Sequence, residues 1–386
     1  MAQGNGTPKV NVAVTSGNLQ RQIVVLDGIA GIVATAEKAV NIGVIKTVFG
    51  YEDALKKGYT QEDEPFLHRQ IKDFYQELGG NQELWVMGVE DTMTLNNMVN
   101  ANNVNGVKKL LTVAQGRITL LGVCRKPAPS YTMVAGKFLD KDVEDAILTS
   151  KTICQYQQSI NRPIRLLIEG RTNDIAKTPF NSKGAENSYV GVVLGNSYGD
   201  GSANVATALA RAVKYPAHVK LGNGQNGALT LTDAYIGNKP LEQFYNEELD
   251  ALTDAGYIIM HRREGSAGYY YSVDTMAGAD DYRILVHGRL MDKAQRIATA
   301  TTSALIETSV RMEKDGSINK ADATYLEDLV KAQIRSKMEG QISNVDVLVP
   351  TDQDLINTST LSIQIKIQPL GYMTWIAITM GLTKSI

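Results

Sequence analysis

Apolar positions along this chain follow two rhythms. Val10, Val12 and Val14 alternate with Asn11 and Ala13, the period-two pattern of a short strand, between a Gly-rich leader and Ser16-Gly17-Asn18. A second apolar run, Ile23-Val24-Val25-Leu26, stops at Asp27-Gly28. From about residue 40 to 220, strand and helix patterns take turns. Residues 45–49 read as a strand. Phe66, Ile71, Phe74, Tyr75 and Leu78 recur near helical spacing across 62–78, and Gly79-Gly80 supplies the stop. A buried strand follows over 84–89, then a helix over 104–113 closed by Gly116. An apolar strand over 118–124 ends at Arg125-Lys126-Pro127, and 139–160 read as a long helix with acidic residues in its first turn. Strands over 164–168 and 189–194 and a helix over 203–213, ended before Pro216, complete the series. Such an order predicts an α/β layer with a largely parallel sheet.

The pattern then changes. A helix over 241–255 feeds a strand over 257–260, Tyr269-Tyr270-Tyr271 follows, and two long helical stretches occupy 282–310 and 319–338. Asn319 is placed as an N-cap, with Asp322 three residues on. Leu361, Ile363, Ile365 and Ile367 alternate with Ser362, Gln364, Lys366 and Gln368 until Pro369 and Gly371 break the run. A last extended segment, 373–380, puts Ile376, Ile378 and Met380 on one side. The fold class read from this is α/β and α+β. An extended arm (1–27) precedes an α/β domain (28–230); a helix-rich, sheet-completed C-terminal domain (231–370) precedes a second arm (371–386). Terminal strands of this kind either complete a sheet in their own subunit or add a strand to a neighbour's.

Composition narrows the classes. The 386 residues are 43% hydrophobic and 21% charged, ordinary for a globular protein, and a net charge of −2 gives no ground for a nucleic-acid partner. Two cysteines, Cys124 and Cys154, exclude a disulfide-dense secreted scaffold and suit a reducing compartment. The segment MAQGNGTPKVNV has no apolar core of signal-peptide length, and no stretch approaches the roughly 18 apolar residues of a membrane span. Synthesis and assembly in a cytoplasm, with no direct membrane insertion, is the expectation. Tyrosine outnumbers the other aromatics, 17 against 6 Phe and 2 Trp, which fits half-buried strand positions and interfaces alike.

Candidate chemistry is sparse. Gly195-Asn196-Ser197-Tyr198-Gly199 matches the G-x-S-x-G nucleophile elbow, with His218, His261 and His287 downstream. Asp200-Gly201-Ser202 intervene before any helix, however, and no oxyanion loop of the HGGG kind lies upstream. Gly222-Asn223-Gly224-Gln225-Asn226-Gly227 matches G-x-G-x-x-G, but an extended stretch follows where a phosphate site needs a helix. Asp315, Ser317 and Asn319 begin like a calcium loop, yet Lys320 and Leu326 stand where Gly and Glu are required. The histidines, His68 included, and the cysteines lack ligand spacing. No metal, cofactor or catalytic residue is assigned. Lys331, Arg335 and Lys337 give one helix a basic stretch, a solvated face or one that meets an acidic partner.

Several segments together resemble the contractile tail sheath family, which includes phage tail sheaths and the sheaths of R-type pyocins and related injection systems. Thr47-Val48-Phe49-Gly50-Tyr51-Glu52-Asp53-Ala54-Leu55 is similar to the family's early strand and its phenylalanine-glycine step. The stretch 74–89 resembles its aromatic helix end, double glycine and following strand. Residues 252–260 followed by 265–274 resemble its helix, strand and tyrosine-rich hairpin. The stretch beginning Tyr282-Arg283-Ile284-Leu285 resembles its Arg-containing helix, and 361–380 with Pro369 its closing segment. The tryptophan-glycine step of some sheaths is absent.

The resemblance implies a structural subunit and no enzyme. Copies would polymerise helically around an inner tail tube protein, with baseplate and tail terminator or cap proteins at the ends. Contraction would drive the tube through a target membrane. The α/β region would lie outside and the helical C-terminal region toward the tube. Val10, Val12 and Val14 would belong to one inter-subunit arm, and Trp375, Ile376, Ile378 and Met380 to the other; Lys331, Arg335 and Lys337 would contact the tube. An eight-residue arm spans roughly 26 Å, enough to reach an adjacent subunit. The particle would be a virion tail or a contractile injection particle. Competing readings are an α/β serine hydrolase using Ser197 and another phage tail or baseplate structural protein.

Overall fold

The computed structural model describes residues 28–382; Val10, Val12 and Val14 lie outside them. In chain order the first elements are β1 (Ala30–Thr35), β2 (Ile45–Val48), α1 (Tyr51–Lys56), α2 (Pro65–Leu78), β3 (Leu84–Val89), α3 (Leu95–Val99), α4 (Val107–Ala114), β4 (Leu120–Cys124), α5 (Lys141–Ser159), β5 (Arg165–Glu169), β6 (Val190–Val193) and α6 (Val205–Lys214). There follow β7 (Tyr235–Ile236), β8 (Lys239–Pro240), α7 (Asn246–Asp254), β9 (Tyr257–Ile258), β10 (Met260–Arg262), β11 (Tyr269–Tyr271), α8 (Leu285–Thr302), α9 (Lys320–Lys337), β12 (Ile342–Leu348), α10 (Leu355–Thr358) and β13 (Gln364–Pro369).

Seven strands form one sheet in the order β2-β3-β1-β4-β5-β6-β9, parallel throughout except for β2, which pairs antiparallel with β3 at the edge. Strands buried on both faces read as continuous apolar runs, which is why 84–89, 118–124 and 164–168 were legible as strands. β1 escapes that reading. Ala30-Gly31-Ile32-Val33-Ala34-Thr35 is fully buried in the interior of the sheet, between β3 and β4, but its small residues carry little strand propensity and give no alternation. Helices cover both faces, α2 and α6 packing together on one and α3 and α5 on the other. Gly122 in β4 permits this closeness: a Cβ there would stand 3.1 Å from Val205 and 3.2 Å from Leu209 of α6. A buried ion pair, Arg211 to Glu77 at 2.8 Å, fastens α6 to α2, and Glu77 also accepts from the Thr230 amide at 2.9 Å.

The division expected at residue 230 falls inside this layer, because β9 completes the sheet. A second core lies beyond it, built from Leu290, Ala294 and Ile297 of α8, Val330 and Ile334 of α9, Met338, and Val345 and Val347 of β12. The helix expected over 282–310 runs only from Leu285 to Thr302, followed by a single 3-10 turn, Ser303–Leu305. The helix expected over 241–255 is a 3-10 turn, Leu241–Gln243, and then α7. Asn319 does cap α9, accepting from the amides of Ala321 (3.1 Å) and Asp322 (3.4 Å).

α8 ties the two cores together. Leu285 packs into the sheet core and Leu290 into the second. Asp292 receives a two-pronged bond from Arg165, the first residue of β5, through Nε and Nη2, each at 2.8 Å, with both side chains buried. Arg296 donates to the carbonyls of Gly116, Ile118 and Pro163, which lead into β4 and β5. The C-terminal unit is therefore seated on the amino-terminal edge of the sheet. Removing one partner of such a pair strands a buried charge. Arg165→Met is predicted to lower the unfolding free energy by about 3–5 kcal/mol in denaturant titrations; a loss below about 1 kcal/mol, the range of exposed pairs, would show that the pair is not buried as described.

Candidate strand-exchange site

β12 and β13 pair antiparallel, with Val345 opposite Ile367 and Val347 opposite Ile365, and a register irregularity between Ile342 and Asn344. Val345 and Val347 are buried against α9, whose residues Ala323, Leu326, Val330 and Ile334 form a buried face at helical spacing. On the same side of the ribbon Ile363, Ile365 and Ile367 are only half-buried. Among the described residues each strand has one strand neighbour, so each offers a row of backbone donors and acceptors on its outer edge. The residues facing away (Asn344, Asp346, Leu348, Gln364, Lys366, Gln368) are exposed and, apart from Leu348, polar.

Residues 370–382 contain no charged side chain and, as described, no helix or strand. Trp375 is 86% exposed, Ile378 77% and Met380 90%; Met373, Ile376 and Leu382 are exposed as well. Ile376, Ile378 and Met380 occupy alternate positions of the segment expected to be extended, but it forms no strand and no strand pairs with it among the described residues. A segment of high strand propensity, low charge and no Pro is a ready partner for an open edge.

The basic stretch is partly spoken for within the chain. Lys331 donates to Asp346 at 3.0 Å, and this ammonium holds the Asp346 carboxyl below the usual range. Arg335, exposed, donates to Asn344 Oδ1 at 3.3 Å, and Lys337 stands half-exposed in the last turn of α9. Both Lys331 and Arg335 thus reach β12, a strand the sequence reading passed over. Its signal was present in Val345, Val347 and Val349 alternating with Asp346 and Leu348, but the irregularity after Ile342 interrupts the period.

The catalytic candidates do not assemble. Ser197 follows β6, but α6 starts only at Val205, and the Ser197 hydroxyl accepts from the Asn204 amide at 3.0 Å. Asn196 locks the loop, donating to the carbonyls of Ser202 (2.9 Å) and Gly237 (3.3 Å). At Gly222–Gly227 a 3-10 turn, Gly224–Asn226, is followed by extended chain whose Leu229 amide donates to Tyr269. Asp315 accepts from Ser317 in a turn, and Asn319 is occupied as a cap. The crevice at the carboxyl ends of the strands, where open α/β sheets commonly hold ligands, is lined by Pro65, Phe66, Arg69, Lys126, Arg171 and Asp200. Each cation there already has a carboxylate: Asp200 for Arg69 at 2.7 Å, Glu169 for Arg171 at 2.9 Å, and Glu37 for Lys126. Among the described residues no group of His, Cys, Asp and Glu could hold a metal, and no helix is long and apolar enough to cross a membrane.

Comparison with solved structures places this architecture. A chain of the anti-feeding prophage baseplate, six-fold symmetrised, superposes with a TM-score of 0.62 at 13% identity, covering 98% of this chain and 99% of that one. The anti-feeding prophage helical sheath in its contracted state gives 0.60 at 14%, covering 99% and 100%. The sheath complex of an extracellular contractile injection system, PVC, also contracted, gives 0.61 at 13%, covering 98% and 99%. The fold is that of contractile sheath proteins, over essentially the whole length, as the sequence resemblance implied. The chain itself belongs to the DUF2586 family, whose N-terminal domain matches residues 7–274 and whose C-terminal domain matches 281–386. That boundary falls after the seven-stranded sheet and the β10–β11 hairpin and just before α8. No curated protein matches the sequence.

With Ser197 held by Asn204, a fluorophosphonate probe is predicted to leave Ser197 unmodified in the folded protein, read by peptide mass spectrometry. Stoichiometric labelling at Ser197 would revive the hydrolase reading.

Proposed function

We propose that this chain is the structural subunit of a contractile sheath, polymerising helically around an inner tube and joined to its neighbours by exchanged strands. The observation that carries the reading is the pairing of opposites within one subunit: an apolar, uncharged C-terminal segment whose residues 373–382 the described residues leave exposed, and a two-stranded ribbon with half-covered isoleucines and outer edges that no described strand pairs. A two-stranded ribbon is marginal alone and gains from a third or fourth strand. Strand addition satisfies backbone groups on both partners and sets side chains at alternate positions into the recipient's surface. In this proposal Trp375, Ile376, Ile378 and Met380 enter a neighbouring copy, and Val10, Val12 and Val14 form the second donor. Support also comes from the whole-length likeness to chains whose structures are described as a helical sheath and a sheath complex, both contracted.

Contraction would then rotate the seven-stranded bodies while the strand joints keep the polymer continuous, driving the tube through a target membrane. The tube would meet the C-terminal unit, with Lys331, Arg335 and Lys337 as contacts, and baseplate and terminator proteins would close the ends. Cytoplasmic assembly before release belongs to the same proposal. A second reading, a baseplate component, draws on the baseplate chain of similar fold; it gives closed rings where the sheath reading gives long tubes.

Purified full-length protein is predicted to form long hollow tubes in negative-stain electron microscopy. Removing residues 371–386 is predicted to abolish them while leaving the circular dichroism spectrum unchanged. Tubes of undiminished length after that truncation would contradict the strand assignment, and monomers across salt and concentration would contradict the sheath reading.

A further inference from the structure

The C-terminal segment changes from held to free within three residues, and one side chain sits at the change. Tyr372 is half-buried; its hydroxyl donates to the His218 carbonyl at 2.8 Å, and its ring lies 6.2 Å from that of His287. Burial and the nearby Asp274 push the Tyr372 phenol up to about 12, so it remains a donor at neutral pH. Lys220 Nζ lies 5.4 Å from the Tyr372 ring centre and donates to Thr374 Oγ1 at 3.2 Å. From Trp375 to Leu382 the side chains stand in solvent.

What holds Lys220 there is Asp274. Asp274 is 0% exposed, which pushes its carboxyl above the usual range, while the Lys220 ammonium 3.8 Å away (side chain 15% exposed) and the backbone N–H groups of Asp274 and Val286 favour its ionised form. Arg289 contributes a weaker field at the same carboxylate. A buried carboxylate in that position is costly unless a cation stays close, so Asp274 restricts where Lys220 can go. Lys220 follows α6 and Asp274 precedes α8, so the pair joins the sheet layer to the element that carries the C-terminal unit.

We infer that Lys220, seated on Asp274, is the positioning residue that fixes the root of the C-terminal segment at Tyr372 and Thr374 and so sets where the free strand leaves the body. Its use in assembly rests on the sheath proposal; the anchoring itself is a property of the single subunit. A donor strand must leave its own subunit at a defined point to reach an open edge on another, and a fixed root shortens the free span to the residues beyond Thr374.

The test uses dilute, unassembled full-length chain and chymotrypsin, comparing cleavage after Tyr372 with cleavage after Trp375 by mass spectrometry. The anchored tyrosine should be cut slowly and the exposed tryptophan quickly in the native protein. In Lys220→Met the ratio of cuts after Tyr372 to cuts after Trp375 should rise about tenfold, the effect of losing one or two net-favourable contacts. That variant also strands Asp274 and should melt lower. Lys220→Met with Asp274→Asn removes the stranded charge, so its thermal midpoint should recover while the cleavage ratio stays high. Thr374→Val and Tyr372→Phe, which leave the Lys220–Asp274 pair intact, should raise the ratio without lowering the midpoint. A native-like ratio in all four variants, or its recovery together with the midpoint in the double variant, would overturn the inference. Because the readout needs no polymer, failure of tube formation by the native chain bears on the sheath proposal alone.

Discussion

The outer edges of the β12–β13 ribbon, which no other described strand pairs, are the constraint around which the C-terminal half is arranged. Amides and carbonyls at a strand edge are satisfied by water in a free subunit, but the half-covered Ile363, Ile365 and Ile367 beneath them are not sheltered by water. α9 covers the ribbon from one side through Val330 and Ile334, and Lys331 and Arg335 clamp β12 at Asp346 and Asn344. What the described residues leave open is an edge and a flank of apolar surface of strand width. The chain also carries an apolar strand-like segment at 371–382 that, beyond Tyr372, the described residues leave exposed. Exposed together in a monomer, the two features are an aggregation hazard; matched between copies, they become a joint.

A joint is useful only if force passes from it to the rigid body. In the proposed sheath, the contacts of α8 would supply that path. Arg165 and Asp292 bond at the start of β5, Arg296 gathers the carbonyls ahead of β4 and β5, and Leu290, Ala294 and Ile297 pack against the same core as β12. Residues 215–220, beyond α6, lie against the same region, with the Tyr215 carbonyl accepting from Arg289 and Lys220 reaching the root of the C-terminal segment. Ribbon and segment root are thus both referred to the amino-terminal edge of the seven-stranded sheet. The opposite edge, with its internally neutralised Arg69, Lys126 and Arg171, is not engaged by these contacts.

The layered fold was largely legible because its evidence is local. Buried parallel strands announce themselves as apolar runs between helical periods, and Gly79, Gly116 and Asn319 mark helix ends by conformational rules that need no tertiary context. What stayed hidden depends on context. β1 is a strand because β3 and β4 flank it, not because Ala30, Gly31 and Ala34 favour one. β12 was obscured by its irregularity, and the helix expected to run to Val310 ends at Thr302, with the contacts of α8 to the sheet ending earlier still, at Arg296. At the candidate site the strand-like character of Ile376, Ile378 and Met380 could be read from alternation, but not whether it is satisfied within the subunit. Lys220, Asp274 and Tyr372 are separated by 54 and 98 residues, and no sequence rule brings them together.

The central claim is that the C-terminal segment of one copy pairs with the ribbon of another. Intermolecular disulfide trapping tests it most directly. One preparation carries Ile378→Cys and a second, separately tagged, carries Lys366→Cys on β13; Cys124 and Cys154 are buried and stay in place. After mixing under assembly conditions and mild oxidation, the account predicts a mixed covalent dimer bearing both tags. It also predicts that the dimer disappears when the Ile378→Cys chain is replaced by one lacking residues 371–386. Recovery of monomers alone from mixed, assembled material would contradict it, as would a chain carrying both cysteines that closes the bond only within itself.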